Sequence, residues 1–545
     1  MAISDHINFI DDSVLSSAPA EEPARQLYFI RCLQALFSSG TAVSRTPTAA
    51  IITFGCQMNA RDSEKLDGIL RELGFDITGN ELDADLVLFN TCTVRENANE
   101  HLYGRLGRLK NAKKEQPERI IGVCGCMMQE ADEVEKLRVR YPYVDLIFGT
   151  HNLYKFPELL FLLQRKRAGF IDRLEEASAG NVILTDSTAD ADRYEKLLRY
   201  GSGTAVCKEK TISSKNAKDL VKLSRRPLIS VWKDSSDIVE DLPQHRKYPF
   251  KQGINIMFGC NNFCSYCIVP YVRGREKSRT PEEILREIRS AASDGVKEIM
   301  LLGQNVNSYH GSIRFPELLK RVDALADETG IERIRFMTSH PKDLSDELID
   351  VMAESGHVCH QFHLPLQSGS SYILERMNRH YDKARFLDRA ARLKEAIPDI
   401  SISTDIIVGF PGETEEDFLE TLDVVRQIRF DAAFTFIYSK REGTPAASYE
   451  DQVDPDVIKE RFDRLLALQN RITAENLEKL KGEVLPVLFE EVSDYDPLMI
   501  SGKLENSTTV HVPADIVDQP SLIGTIRQVR LEETHGFYYS GHIAD

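Results

Sequence analysis

Between residues 253 and 279 the chain reads GINIMFGCNNFCSYCIVPYVRGREKSR, which places Cys260, Cys264 and Cys267 on one short stretch in the order C-x3-C-x2-C. The apolar run from Ile254 to Phe258 reads as a strand leading into them, and Gly259 lets the backbone turn sharply after it. Three thiols so close together restrict what the loop can do. A disulfide would leave one of them over. Zinc takes four ligands, usually as two C-x2-C pairs or one such pair with two histidines. No second pair follows nearby, and His310 lies far downstream. Three thiolates on one loop are able to hold three corners of an iron–sulfur cube, leaving the fourth iron without a protein ligand. The bland alternative is three unrelated buried thiols.

A second group of cysteines is dispersed in sequence but regular in position. Residues 48 to about 165 alternate apolar runs with helical patterns: AAIITFG, DLVLFNTC, RIIGVCGC and VDLIFGT read as strands. Helices are expected between them, from about Ser63 to Leu73 and from about Arg95 to Leu109. Such alternation predicts a parallel sheet with helices on both faces. Ligands in that architecture sit at the carboxyl ends of the strands. Cys56, Cys92 and Cys126 all fall at those ends, so the topology would gather three loops and three thiols. One such cysteine would be read as a small buried hydrophobe; three in equivalent places read as a second three-thiolate site. Cys124 competes with Cys126 for the third place. Alternation along a strand would point both the same way, and Cys126 is preferred as the one nearer the strand end.

Residues 247–478 alternate again. TPEEILREIRSAASDG is a helix with Thr280 as its N-cap and Pro281 in its first turn. KEIMLLGQNV, RIRFMTSH, CHQFHLPLQSG, ISISTDIIVGFPG and FDAAFTFIYS read as strands. About six strand–helix units suit a partial barrel of the TIM type, with its chemistry at the carboxyl ends of the strands. Residues 479–545 change to short strands separated by turns, which suggests a small antiparallel barrel.

The other segments are residues 1–46, an N-terminal extension, and 166–246, a long linker or insertion after the 47–165 domain. One amphipathic helix from Arg25 to Ser39 is expected in the extension, packed on a later domain. Within the insertion, SAGNVILTDSTADADRY and the basic, Ser-rich KEKTISSKNAKDLVKLSRR read as a solvated excursion. MAISDHINFIDDSV lacks the basic-then-apolar pattern of a secretory signal, and no apolar run is long enough to span a membrane. The formal net charge of −17 argues against nucleic-acid binding by the whole surface and leaves only a local basic patch for that purpose.

GCQMNARDSEK, NTCTVRENA and GCMMQ resemble the three cysteine motifs of the radical S-adenosylmethionine methylthiotransferase family. GCNNFCSYCIVPYVRGREKSR resembles the radical motif of its tRNA-modifying branch, and Tyr266 before the third cysteine fits it. Gln57, Met58 and Asn59 match the branch that acts on N6-dimethylallyl (isopentenyl) adenosine. The resemblance implies an α/β multidomain protein: an N-terminal parallel α/β methylthiotransferase domain, a central partial TIM-type barrel and a C-terminal TRAM-like barrel. It implies two 4Fe–4S clusters, an auxiliary one on Cys56, Cys92 and Cys126 and a radical one on Cys260, Cys264 and Cys267. It also implies S-adenosylmethionine, split by one electron to give a 5′-deoxyadenosyl radical, with a second molecule as the methyl source.

Gln304, Ser339, Gln367 and Asp405, at strand ends, are the candidates for holding the cosubstrate, together with the backbone of GFPGET at 409–414. Arg273, Arg275, Lys277 and Arg279 are expected to meet tRNA phosphates, with the methionine carboxylate as the alternative partner of the three arginines. The terminal module, acidic and with few cations such as Lys503, Arg527 and Arg530, would rely on stacking by Tyr538 and Tyr539. Implied partners are tRNA, an electron donor such as a flavodoxin or ferredoxin, and a sulfur donor. A cytoplasmic monomer without membrane attachment is expected. The rival readings are the same chemistry on ribosomal protein S12 or on threonylcarbamoyladenosine tRNA, and a non-catalytic iron–sulfur RNA-binding protein.

Overall fold

The computed structural model describes residues 12–39, 45–93, 96–178, 227–234 and 238–544. Most of the insertion, including Cys207 and the basic KEKTISSKNAKDLVKLSRR piece, lies outside the described residues. The chain divides into two compact units, one comprising residues up to His245 together with Tyr271–Gly274, the other Arg246–Pro270 together with Arg275–Asp545. Among the described residues no helix is long and apolar enough to cross a membrane.

The first unit is built on a parallel sheet of six strands: β1 (Thr48–Thr53), β2 (Asp76–Ile77), β3 (Leu86–Thr91), β4 (Ile120–Gly125), β5 (Leu146–Phe148) and β6 (Leu228–Ser230), in the order β2-β1-β3-β4-β5-β6. The period of two is visible in its packing. Leu86 and Leu88 enter the core beneath one set of helices, and Val87 and Phe89 enter the core on the other face. The expected helix of the N-terminal extension spans Ala24–Ser39. It lies on the helix Phe156–Ser178, with Phe29 against Phe161 and Arg25 paired with Glu158 at 2.5 Å. Strand β6 lies within the 166–246 stretch that the sequence presents as linker, and it pairs in parallel with β5.

The second unit contains two three-stranded parallel sheets. Strands β7 (Lys251–Asn255), β10 (Glu298–Leu302) and β11 (Arg333–Phe336) run in the order β11-β10-β7. Strands β12 (Gln361–His363), β13 (Ser401–Val408) and β14 (Ala432–Ile437) run in the order β12-β13-β14. A parallel bridge between Ile334 and Val358 carries the first sheet toward the second. This is the expected six-stranded partial barrel. The helix after the cysteine loop starts at Thr280 as the sequence implies, with Thr280 and Glu283 in a reciprocal capping box, and Thr414 and Asp417 form another. A short antiparallel ribbon, β8 (Met257–Phe258) with β9 (Lys277–Ser278), brackets the cysteine loop.

The chain ends in a closed barrel of β15 (Val484–Val492), β16 (Met499–Lys503), β17 (Thr509–Pro513), β18 (Ile526–Thr534) and β19 (Tyr538–Ile543). It differs from the antiparallel expectation at one seam, where β17 and β19 run parallel. The barrel is fastened to the amino ends of the preceding parallel strands. Arg333 donates to the carbonyls of Lys503 and Pro486 at 2.9 and 2.8 Å, and Lys251 pairs with Glu490 at 2.7 Å. Within this unit it therefore lies at the end of the strands opposite the cysteine loop.

Two candidate cluster sites

In the first unit, three loops at the carboxyl ends of β1, β3 and β4 carry Cys56, Cys92 and Cys126. Cys56 is the N-cap of a helix that begins at Gln57, six residues earlier than the sequence pattern indicates. Cys92 follows β3 directly. Cys126 opens a tight turn, Cys126–Gln129. Asn59 ties these ends together: its Nδ2 donates to the Thr91 carbonyl at 2.9 Å, and Asn90 donates back to the Asn59 carbonyl at 2.8 Å. Asn59 Oδ1 lies 3.5 Å from the Cys56 sulfur and 3.9 Å from the Cys126 sulfur, so those two thiols are neighbours. Gly55 closes the third side. It has φ 130°, and a Cβ there would meet Cys92 Cβ at 2.7 Å, so the backbone approaches that thiol as only glycine allows.

Cys124 has a different place. Gly125, at φ 98°, breaks the alternation that would align 124 with 126. Cys124 is wholly buried in a hydrophobic core, while Cys126 turns to the loop cluster. Burial pushes the Cys126 thiol up to about 11 and the Cys124 thiol well up.

In the second unit, Cys260, Cys264 and Cys267 sit on the loop after β8. Gly259 has the positive φ the sequence implied, 73°. The loop is knitted to residues 376–379: Ser265 donates to the carbonyls of Arg376 and Met377, and Asn378 donates to those of Asn262 and Phe263. Arg379, 4 % exposed, reaches the Cys264 sulfur at 3.3 Å and the Tyr266 hydroxyl at 3.4 Å. Burial raises Cys260 to about 11 and Cys267 to about 12.

Backbone strain marks the same region. Seven described non-glycine residues have positive φ, and five of them (Phe263, Thr338, Gln367, Asn378 and His380) lie in this loop, its supporting segment or the strand ends beside it. Such conformations persist where the surroundings impose them, often at functional sites.

The cosubstrate candidates divide. Gln304 and Ser339 lie beyond the ends of β10 and β11, with Ser339 Oγ 3.2 Å from Asn307. Gln367, at φ 64°, is pinned by its N–H to the Asp405 carbonyl. Asp405 lies within β13 rather than at its end, and its carboxylate stands 3.3 Å from His363 Nε2. Ile402, Ile406 and Val408 face the helix-side core. Residues of the opposite parity, Asp405 with its registered neighbour Phe434 and then Phe436, therefore face the concave side. Phe434 and Phe436 are 50 % and 46 % exposed there.

The basic run also divides. Arg275 is exposed, with its guanidinium 4.3 Å from the Phe263 ring, and Lys277 is half-buried. Arg279 is buried and bonded to the Asn255 carbonyl and, at 2.6 Å, to Glu287. Arg273 is buried within the first unit, on Cys126 and Asn59. Both are thus engaged inside the protein, away from the phosphates that a solvent-facing run would meet. In the terminal barrel Tyr538 is exposed beside His511 and His535, whereas Tyr539 is buried, its hydroxyl on the Leu477 carbonyl.

Both thiol sets suit a cluster held by three cysteines. Among the described residues no three His, Cys, Asp or Glu side chains close around a single ion; a cube held at three corners needs a wider spacing. Around the radical loop, Asn262 Oδ1, Asn305 Oδ1, Asn307 Nδ2 and His340 Nε2 are buried without a hydrogen-bond partner. Native proteins rarely leave such atoms unsatisfied, which suits a polar ligand at the ends of β10 and β11. Burial and the nearby Arg379 hold His340 neutral. Sequence reasoning missed Arg379, Asn378 and His363. The turn-forming run Asn378-Arg379-His380 was the only available signal.

Residues 254–425 match the Radical SAM superfamily, 48–149 the Uncharacterized protein family UPF0004, and 478–544 the TRAM domain. The chain is 46 % identical to the tRNA-2-methylthio-N(6)-dimethylallyladenosine synthase of Lachnoclostridium phytofermentans, over 92 % of this chain and 97 % of that protein. It is 46 % identical to the enzyme of the same name from Thermoanaerobacter sp., over 91 % and 92 %, and 44 % identical to that of Acetivibrio thermocellus, over 96 % of each. Likeness of this degree runs through both thiol-bearing regions and the terminal barrel, and the chain belongs to the family of tRNA-2-methylthio-N(6)-dimethylallyladenosine synthases.

Proposed function

We propose that this chain methylthiolates C2 of N6-dimethylallyladenosine at position 37 of tRNA. In this reading Cys56, Cys92 and Cys126 hold the auxiliary 4Fe–4S cluster, and Cys260, Cys264 and Cys267 hold the radical one. The observation that carries the assignment is the placement of each thiol set on loops at the carboxyl ends of its own parallel strands. When bound, the two clusters and S-adenosylmethionine supply the electron, the carbon radical and the sulfur that a non-acidic aromatic C–H requires.

The protein's part is to hold and orient. Gln304, Ser339 and Gln367, with the backbone of GFPGET, position the cosubstrate around the strand ends. Asp405 is fixed by His363, itself 3.0 Å from Ser403 Oγ, and serves as an acceptor on the concave face. Phe434 and Phe436 offer that face an apolar surface suited to the adenine ring and its five-carbon substituent. Arg275 and Lys277 supply phosphate contacts. An electron donor of the flavodoxin or ferredoxin class and a separate sulfur donor complete the reaction, carried out by a cytoplasmic monomer. The presence of both cysteine sets disfavours a purely RNA-binding role.

The test is mass spectrometry of tRNA nucleosides from cells with and without the gene. Loss of the 2-methylthio group with retention of N6-dimethylallyladenosine is expected. An unchanged tRNA profile, with a lost modification on ribosomal protein S12, would overturn the substrate assignment.

A further inference from the structure

The basic run after the radical motif contains one arginine that belongs to the other site. Tyr271–Gly274 forms part of the first compact unit, and within it Arg273 is only 9 % exposed. Its Nε lies 3.1 Å from the Cys126 sulfur, its Nη2 lies 3.0 Å from Asn59 Oδ1, and the same Nη2 stands 3.7 Å from Asp62. Asn59 Oδ1 is the atom that also lies beside the Cys56 and Cys126 sulfurs. The guanidinium thus sits on the shared polar hub of the three loops.

We propose that Arg273 is a positioning residue of the auxiliary site, donating a charge-assisted hydrogen bond to the Cys126 sulfur and balancing the negative charge gathered there. This rests on the reading of Cys56, Cys92 and Cys126 as cluster ligands. Three thiolates gathered at one site, two of them on the buried Cys92 and Cys126, need a compensating cation. Arginine keeps its charge when buried and presents several donors in a fixed plane. Here one edge meets the sulfur and another is clamped by Asn59, which fixes the direction of the bond. Hydrogen bonds to cluster sulfurs and local charge are among the levers that set a cluster's reduction potential. Reduction adds negative charge, so a fixed cation at the sulfur favours the reduced form.

The test uses full-length protein, reconstituted without air, in a background with Cys260, Cys264 and Cys267 all changed to Ala so that only the auxiliary cluster reports. Iron content, the electron paramagnetic resonance signal of the reduced cluster and its midpoint potential in a mediated dithionite titration are compared for parent, Arg273→Gln, Arg273→Lys and Cys126→Ser. Arg273→Gln is expected to retain iron but to need a more negative poise. At a fixed potential its reduced-to-oxidised ratio should fall at least tenfold, equivalent to 59 mV for a one-electron couple. Arg273→Lys, keeping the charge and losing the planar clamp, should fall between the two, and it serves as the probe if the glutamine variant does not fold. A potential and signal indistinguishable from the parent in the arginine variants, with the signal lost in Cys126→Ser, would overturn the proposal alone. A Cys126→Ser protein that keeps the parent signal would overturn the ligand assignment and the proposal with it.

Discussion

Arg379 Nη1 stands 3.3 Å from the Cys264 sulfur, although 115 residues separate the two in sequence. The guanidinium is held from behind by the Tyr381 hydroxyl at 3.1 Å and the Pro365 carbonyl at 3.3 Å. It lies in the segment that fastens the cysteine loop. The adjacent Asn378 and His380 have φ of 57° and 59°, conformations that the segment adopts only because packing imposes them.

Arg379→Ala should therefore leave the fold and the auxiliary iron intact while impairing the radical site. Removal of a partner that orients a metal ligand typically costs 10–100-fold. A drop of about that size is expected in 5′-deoxyadenosine formation per chain, partly restored in Arg379→Lys. Parent rates in the alanine variant would refute a positioning role.

The two thiol sets should fail in different ways. Cys264→Ala should abolish both 5′-deoxyadenosine formation and methylthio product. Cys92→Ala should keep the former and lose the latter, with iron falling from about eight to about four per chain in each case. Product analysis on both proteins checks this, and equal loss of cleavage in folded, half-loaded proteins would contradict the division of labour.

Cys260, Cys264 and Cys267 were legible as a candidate site from their spacing on one short stretch, and Cys56, Cys92 and Cys126 because they fall at strand ends, which follow from apolar periodicity. What holds each site was not legible. The place of Arg273 depends on how a tetrapeptide folds after Pro270, and from sequence it is one cation in a basic run. Cys124 and Cys126 differ because Gly125 takes a positive φ, which a pattern of alternation does not register. Arg379 reaches Cys264 through a turn more than a hundred residues on, and no local spacing encodes that meeting. The closed barrel at the C-terminus was legible from its short strands, but the parallel seam between β17 and β19 depends on long-range order.

Glu413, in GFPGET, gives the protein a pH signature. Burial is the main cause that raises its carboxyl to about 7, against hydrogen bonds from the Gly409 and Phe410 N–H groups and the nearby Arg461. An unfolded carboxyl titrates near 4.5, so between those values the folded state binds the extra proton. Stability contributed by the neutral form is present below about pH 4.5 and is lost as pH rises through about 7. The loss is about 3 kcal/mol as an upper figure. Glu413→Gln should flatten this slope, seen as a smaller fall in melting temperature between pH 5 and pH 8 than in the parent. An identical fall in both proteins would show that the slope has another source.

The grip on tRNA should be narrow, because the cations that remain near the radical loop are few. Arg275 is exposed and braced on Phe263, and Lys277 follows it in β9. Arg279 is engaged with Glu287, so its loss should destabilise the loop more than it relaxes binding. In the terminal barrel Lys503 is held by Thr509 and Arg530 by the Gly482 carbonyl. That barrel instead presents an aromatic group: the Tyr538 ring stacks on His535 at 4.9 Å and meets His511 edge-on at 4.9 Å, with Phe537 67 % exposed next to it. Burial and the neighbouring Lys503 and His535 lower the His511 pKa, so this face favours base stacking over charge. Stacking is worth about 1–3 kcal/mol per base and depends little on salt, whereas each lost phosphate contact lowers the salt slope by about 0.7–0.9. Arg275→Ala should therefore weaken tRNA binding and flatten its salt dependence by close to one contact. Tyr538→Ala should weaken binding at every salt concentration with the slope kept. Affinity measured across a salt series separates the two. If Tyr538→Ala flattens the slope while Arg275→Ala binds like the parent, the charged contacts lie on the terminal barrel and not beside the radical loop.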